Sequence, residues 1–118
     1  TIFDGAPMKG FAHSRTPQQL EEERQRLLGA LEALMALIDE IKPALTVLDE
    51  LNVALAMGMV KKEDALRLVD AALQYGDTAV TGRHAPEYLL DKADYVSRIE
   101  AVKHPFDAGQ AAREGIEW

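Results

Sequence analysis

An all-α fold is what the sequence predicts: a long N-terminal helix forming a hairpin or bundle with two shorter helices. Three observations predict it. Apolar side chains recur every seven residues from Leu20 through Leu27, Leu34, Ile41 and Leu48 to Leu55. Leu and Ala are far more abundant than aromatic residues, which make up 6% of the 118 positions. Helix punctuation is also well placed, with Thr16-Pro17 ahead of the stripe, Gly58 and Gly76 behind helical segments, and Pro86 opening another.

Residues 1–15 carry Gly, Pro and no apolar period, and form an irregular arm. Residues 16–104 form the helical domain. Thr16 is the expected N-cap, Pro17 the first helical residue and Gln19 the reciprocal partner of a capping box. The companion series Arg24, Leu31, Ile38, Leu45 and Asn52 completes a seam over five heptads, and Leu28, Met35 and Leu37 widen it toward a bundle stripe. Pro43 requires a kink or a break, because it removes a backbone donor and disfavours a helical Lys42. The unbroken heptad phase favours the kinked, continuous form. A helix from Pro17 to Met57 would be about 60 Å long at roughly 1.5 Å per residue, too long for a compact monomer of this size unless another chain covers the stripe.

Gly58 caps that helix. Lys61 to Tyr75 forms the next, with Ala65, Leu66, Val69, Ala72 and Leu73 facing inward. The stretch 76–85 is a loop in which Ala-Val-Thr is too short to be more than an isolated extended piece. Glu87 to Lys103 forms the third helix and His104-Pro105 stops it. Residues 105–118 are a tail with a helical turn or two at most.

The absence of Cys excludes disulfide scaffolds, thiolate metal sites and cysteine nucleophiles. A net charge of -7 disfavours direct binding to nucleic acid, and with no apolar run long enough for a membrane span and no secretory pattern, the expected location is cytoplasmic. Ser14 and Ser97 lie in no nucleophile motif, and no glycine-rich phosphate loop precedes a helix. His84, Glu87 and His104 are the nearest approach to a metal-ligand set, but the Glu-x-x-His spacing of a two-metal bundle does not occur. Neither a metal nor a cofactor is expected. The paired carboxylates Asp39-Glu40 and Asp49-Glu50 are assigned to a solvated acidic face.

These observations lead to a non-enzymatic interaction or assembly module. It would self-associate through Leu27, Leu31, Leu34, Ile38, Ile41, Leu45, Leu48 and Leu55, and offer Phe3, Phe11, Met57, Met59 and Trp118 to an unidentified protein partner. Two alternatives stand beside it. One is an acidic decoy for the basic groove of a nucleic-acid-binding protein; the other is a helical metal or small-molecule site near His84.

Overall fold

The computed structural model describes residues 1–3 and 16–111. In chain order the elements are α1 (Pro17–Ile41), β1 (Leu45–Leu48), α2 (Leu51–Ala56), α3 (Lys62–Leu73), β2 (Asp77–Val80), α4 (Glu87–Lys92) and a 3-10 turn at Pro105–Ala108. The start of α1 follows its local sequence. The Thr16 hydroxyl accepts the Gln19 N–H at 3.3 Å, and the Gln19 side-chain oxygen accepts the Thr16 N–H at 2.9 Å.

Its end corrects the expected long helix. Lys42 turns into the left-handed region (φ 48°, ψ 61°) while its N–H still bonds to Ile38 O at 2.8 Å. The cause is Pro43, whose ring disfavours a right-handed helical conformation in the residue before it. The heptad stripe is therefore divided: residues up to Ile41 stay in α1, Leu45 and Leu48 enter a strand, and Leu55 belongs to α2.

β1 and β2 pair in parallel, with Leu45 opposite Asp77, Thr46 opposite Thr78, Val47 opposite Ala79 and Leu48 opposite Val80. Parallel neighbours cannot be joined by a tight turn and need a crossover connection. Here α2 and α3 supply it. The chain is thus a mixed α/β fold with a two-stranded parallel sheet, and the all-α expectation is corrected.

The third expected helix is corrected too. α4 stops at Lys92, and Ala93 is already extended (ψ 136°). Of the apolar face assigned to a helix running to Lys103, Leu89 is buried and Tyr88 packs against the core, whereas Tyr95, Ile99 and Val102 are more than nine-tenths exposed. A stripe with nothing to pack on supplies none of the tertiary stabilisation a helix needs.

The core gathers Ile38 of α1, Leu48 of β1, Leu51 of α2, Val60, the α3 residues Ala65, Leu68, Val69 and Ala72, and Leu89 of α4. The α3 face is rotated from expectation: Leu68 is 2% exposed, while Leu73 points outward. Burying a side chain of that size stabilises by about 1.5–3 kcal/mol. Both polar residues in the seam have partners inside the fold: Arg24 Nε donates to Gly58 O at 2.9 Å, and Asn52 Nδ2 donates to Gly82 O at 3.2 Å. No helix among the described residues is long and apolar enough to cross a membrane.

A polar latch ties the C-terminal end of α1 to the turn after α3. The Tyr75 hydroxyl donates to the Asp39 carboxylate, and Lys42 Nζ lies 5.8 Å from the Tyr75 ring centre. The hydrogen bond to Asp39, followed by burial and the Asp39 charge, raises the Tyr75 pKa above 10.0. A raised phenol pKa stabilises the fold fully below the unfolded value, and that contribution is lost as pH rises through the folded value. Urea midpoints are therefore expected to fall above pH 10, and Tyr75→Phe should lower the midpoint at pH 7 while flattening the alkaline decline. Part of the decline persists in that variant, because burial, then the Glu63 charge, also raises Tyr88. An unchanged alkaline slope in Tyr75→Phe would show that the latch is not coupled to folding.

Candidate functional site at the strand ends

In open parallel sheets, ligands bind outside the carboxyl ends of the strands, where the backbone leaves its ladder and side chains from successive loops converge. Here those ends carry Asp49-Glu50-Leu51-Asn52 after β1 and Thr81-Gly82-Arg83-His84 after β2. Thr81 joins them. Its N–H extends the sheet by bonding to Leu48 O at 3.2 Å, and its hydroxyl donates to Asp49 Oδ1 at 2.6 Å while accepting the Glu50 N–H at 3.0 Å. The Asn52 N–H bonds to Thr81 O at 3.2 Å.

Close backbone approach explains the local sequence. Gly82 has φ 112°, and a Cβ there would lie 3.2 Å from Asn52 Cβ, Glu50 Cα and Val53 N. Glu50 and His84 also take left-handed conformations, at φ 57° and φ 63°. Three positive-φ residues within two short loops mark a backbone held in place by its surroundings, as recurs at functional sites.

The resulting surface is exposed and mixed in charge, with the carboxylates of Asp49 and Glu50 beside a loop bearing Arg83 and His84. Asn52 beneath it is 6% exposed, and its Oδ1 has no hydrogen-bond partner among the described residues. Asp49 Oδ1 is held by Thr81, which fixes the carboxylate while leaving lone pairs for a ligand.

The residues singled out from sequence are distributed differently. His84 lies at the strand ends, Glu87 opens α4, and His104 caps the 3-10 turn, where its Nδ1 accepts the Phe106 N–H at 3.1 Å. Among the described residues no three His, Asp or Glu side chains are gathered to hold a metal ion. Of the stripe, Ile38 and Leu48 are core residues, Leu31, Leu34 and Leu55 pack against the core, Leu27 is half-buried, and Ile41 and Leu45 are exposed. Phe3 and Met57 are exposed and Met59 is buried, while Phe11 and Trp118 fall outside the described residues. As a group, Asp49, Asn52, Thr81 and Arg83 escape a reading of the sequence by motif. Their signal is a short apolar run ending in a polar residue, found twice: Leu-Thr-Val-Leu before Asp49 and Thr-Ala-Val before Thr81.

Comparison with known proteins gives a consistent family. Residues 3–118 match the model of the ATP:corrinoid adenosyltransferase family BtuR/CobO/CobP. The corrinoid adenosyltransferase of Pseudomonas aeruginosa is 35% identical over 101 residues, covering 82% of this chain and 50% of that protein. One from Sinorhizobium sp is 33% identical over 90 residues, covering 75% and 42% respectively. The corrinoid adenosyltransferase CobA of Salmonella typhimurium is 36% identical over 74 residues, covering 63% and 38%. The chain thus spans half or less of the length of these relatives. Family members are enzymes, which overturns the expectation of a non-enzymatic, coiled-coil assembly module or decoy.

Proposed function

This chain belongs to the ATP:corrinoid adenosyltransferase family, and on that premise we propose that it supplies the carboxylate-bearing strand ends of an enzyme that moves an adenosyl group from ATP to a corrinoid. The observation that carries the assignment is the Thr81 bracket, which fixes Asp49 at the carboxyl end of a parallel strand. Moving an adenosyl group out of ATP separates the nucleoside from its phosphate chain, so the site must manage a polyanion. A carboxylate next to phosphates is repulsive unless a cation lies between them. Divalent cations that accompany triphosphates are held by one or two carboxylates plus the phosphates themselves. Asp49 fits that role: one oxygen is engaged by Thr81, and the side chain is exposed, so its remaining lone pairs are open to a cation.

Arg83 stands on the adjoining loop and adds a cation for the anionic end of the nucleotide. The chain carries no glycine-rich phosphate loop, so Asp49, through a cation, and Arg83 are the groups with which it would meet the phosphates. The test is adenosyl transfer from ATP to a corrinoid, followed by absorbance and by the mass of the product, in the enzyme containing this chain. Transfer that depends on Asp49 is the expected result. Transfer unaffected by Asp49→Asn would remove the strand ends from the reaction.

A further inference from the structure

Asn52 is an amide buried beside a core of aliphatic side chains. From α2 it reaches the loop after β2 twice: its N–H bonds to Thr81 O and its Nδ2 donates to Gly82 O, each at 3.2 Å. The two carbonyls belong to successive peptide units, and the second of those units leads into Arg83. Bonds to both units fix the tilt of the backbone that carries the guanidinium as well as its position. The amide is held there against the interest of the fold. Its Oδ1 is buried with no hydrogen-bond partner among the described residues, and an unpaired buried acceptor costs about 1–3 kcal/mol. Leu has the same branching at Cγ and no polar atom to leave unpaired. Stability therefore does not account for Asn at this position, whereas the donor it turns toward Gly82 does; residues that break a local rule in this way belong characteristically to functional sites.

We infer that Asn52 is a positioning residue for the nucleotide: by anchoring the Gly82 carbonyl from below, it aims Arg83 at the anionic end of ATP without touching the substrate itself. The inference rests on the role proposed for Arg83. It divides the support of the site between two groups. The Thr81 hydroxyl holds the carboxylate of Asp49, and the Asn52 amide holds the loop that bears the cation. Loss of the first acts on the response to divalent cation, and loss of the second acts on the affinity for ATP. A purely structural tie between α2 and the loop behaves differently, because losing it lowers the folded fraction, which reduces kcat and leaves KM where it was.

The experiment measures adenosyl transfer by Asn52→Leu, Arg83→Ala and the double variant, in the enzyme containing this chain, with ATP and the corrinoid varied in turn. Asn52→Leu is expected to raise the KM for ATP about tenfold or more, with the KM for the corrinoid and the melting temperature unchanged. Backbone order at Gly82 to His84, read by NMR relaxation, should fall in the same variant. Added to Arg83→Ala, the Asn52→Leu change should raise the KM for ATP no further, since a residue that acts through Arg83 has nothing left to aim. Should Asn52→Leu not fold, Asn52→Ala, which adds no bulk, is read in the same way. A normal KM for ATP in the Asn52 variant beside a raised one in Arg83→Ala would overturn this inference alone. Additive rises in the double variant would overturn it as well, by showing that Asn52 acts through another group. A normal KM for ATP in Arg83→Ala would remove the role proposed for Arg83 and this inference with it.

Discussion

Gly76→Ala is expected to be the most damaging glycine-to-alanine change among the described residues. A Cβ at Gly76 would lie 2.3 Å from Ala44 O, 2.5 Å from Ala44 C and 2.6 Å from Pro43 O. All three are backbone atoms of the segment leading into β1, so no side-chain rotation can relieve the overlap. The same place holds the first rung of the sheet, where the Asp77 N–H donates to Ala44 O at 3.0 Å. Separating the two segments enough for a methyl group breaks that bond and displaces β2 from its register. The expected cost is about 3 kcal/mol or more, a large share of the roughly 5–15 kcal/mol that holds a domain together. Gly29→Ala is the control. It lies inside α1 with nothing within 4 Å of the place a methyl group would take, and should raise stability by about 0.5–1 kcal/mol, because Gly gives up more backbone entropy in a helix than Ala does. Urea denaturation of both variants checks the pair; equal midpoints would show that the chain crossing at Gly76 is looser than the structure has it.

What is legible in the sequence is local. The capping box at Thr16, the stop at Gly58 and the buried face of α3 at Ala65, Val69 and Ala72 all depend on residues within a few positions of one another. The two strands are not legible because their pairing joins distant segments. Leu45 to Leu48 fits a helical heptad and a short strand equally well, since a four-residue apolar run has no measurable period. Only the parallel partner at Asp77–Val80 distinguishes the two, and nothing near Leu45 signals it. Pro43 announces a kink or a break, but the heptad phase beyond it does not say how the chain continues. The recurrence of Leu45, Leu48 and Leu55 at helical spacing reflects three different environments: an exposed sheet face, the core, and a partly buried position on α2.

The candidate site is hidden for the same reason. Asp49-Glu50 resembles a solvated acidic pair because, on a helix, its position would lie away from the seam. At the end of a strand the same pair becomes a fixed carboxylate gripped by Thr81 from the neighbouring strand. Asn52 falls in the seam by spacing, yet it is buried because it bonds across to Gly82. A site assembled from two loops shows no spacing motif, and each half alone resembles ordinary surface.

Asp49→Asn should have the largest effect on chemistry. The amide preserves the shape of the carboxylate and an oxygen that can still accept the Thr81 hydroxyl, so the bracket between the strand ends survives. What is lost is the negative charge and with it the attraction proposed for a cation travelling with the phosphate chain. Removing one preorganised electrostatic group from an active site costs about 10²- to 10³-fold in turnover, and a loss of at least about 10²-fold in adenosyl transfer is expected with little change in melting temperature. Thr81→Val separates position from charge: it keeps the carboxylate but removes the hydroxyl that aims it and that accepts the Glu50 N–H. A positioning group of that kind is worth roughly 10- to 100-fold, and the Glu50 N–H, on an exposed residue, can turn to water instead. If the carboxylate acts through a metal, raising the divalent cation concentration should partly rescue Thr81→Val and leave Asp49→Asn unrescued. Equal rescue of both variants would show that the charge of Asp49 is not what the cation answers to.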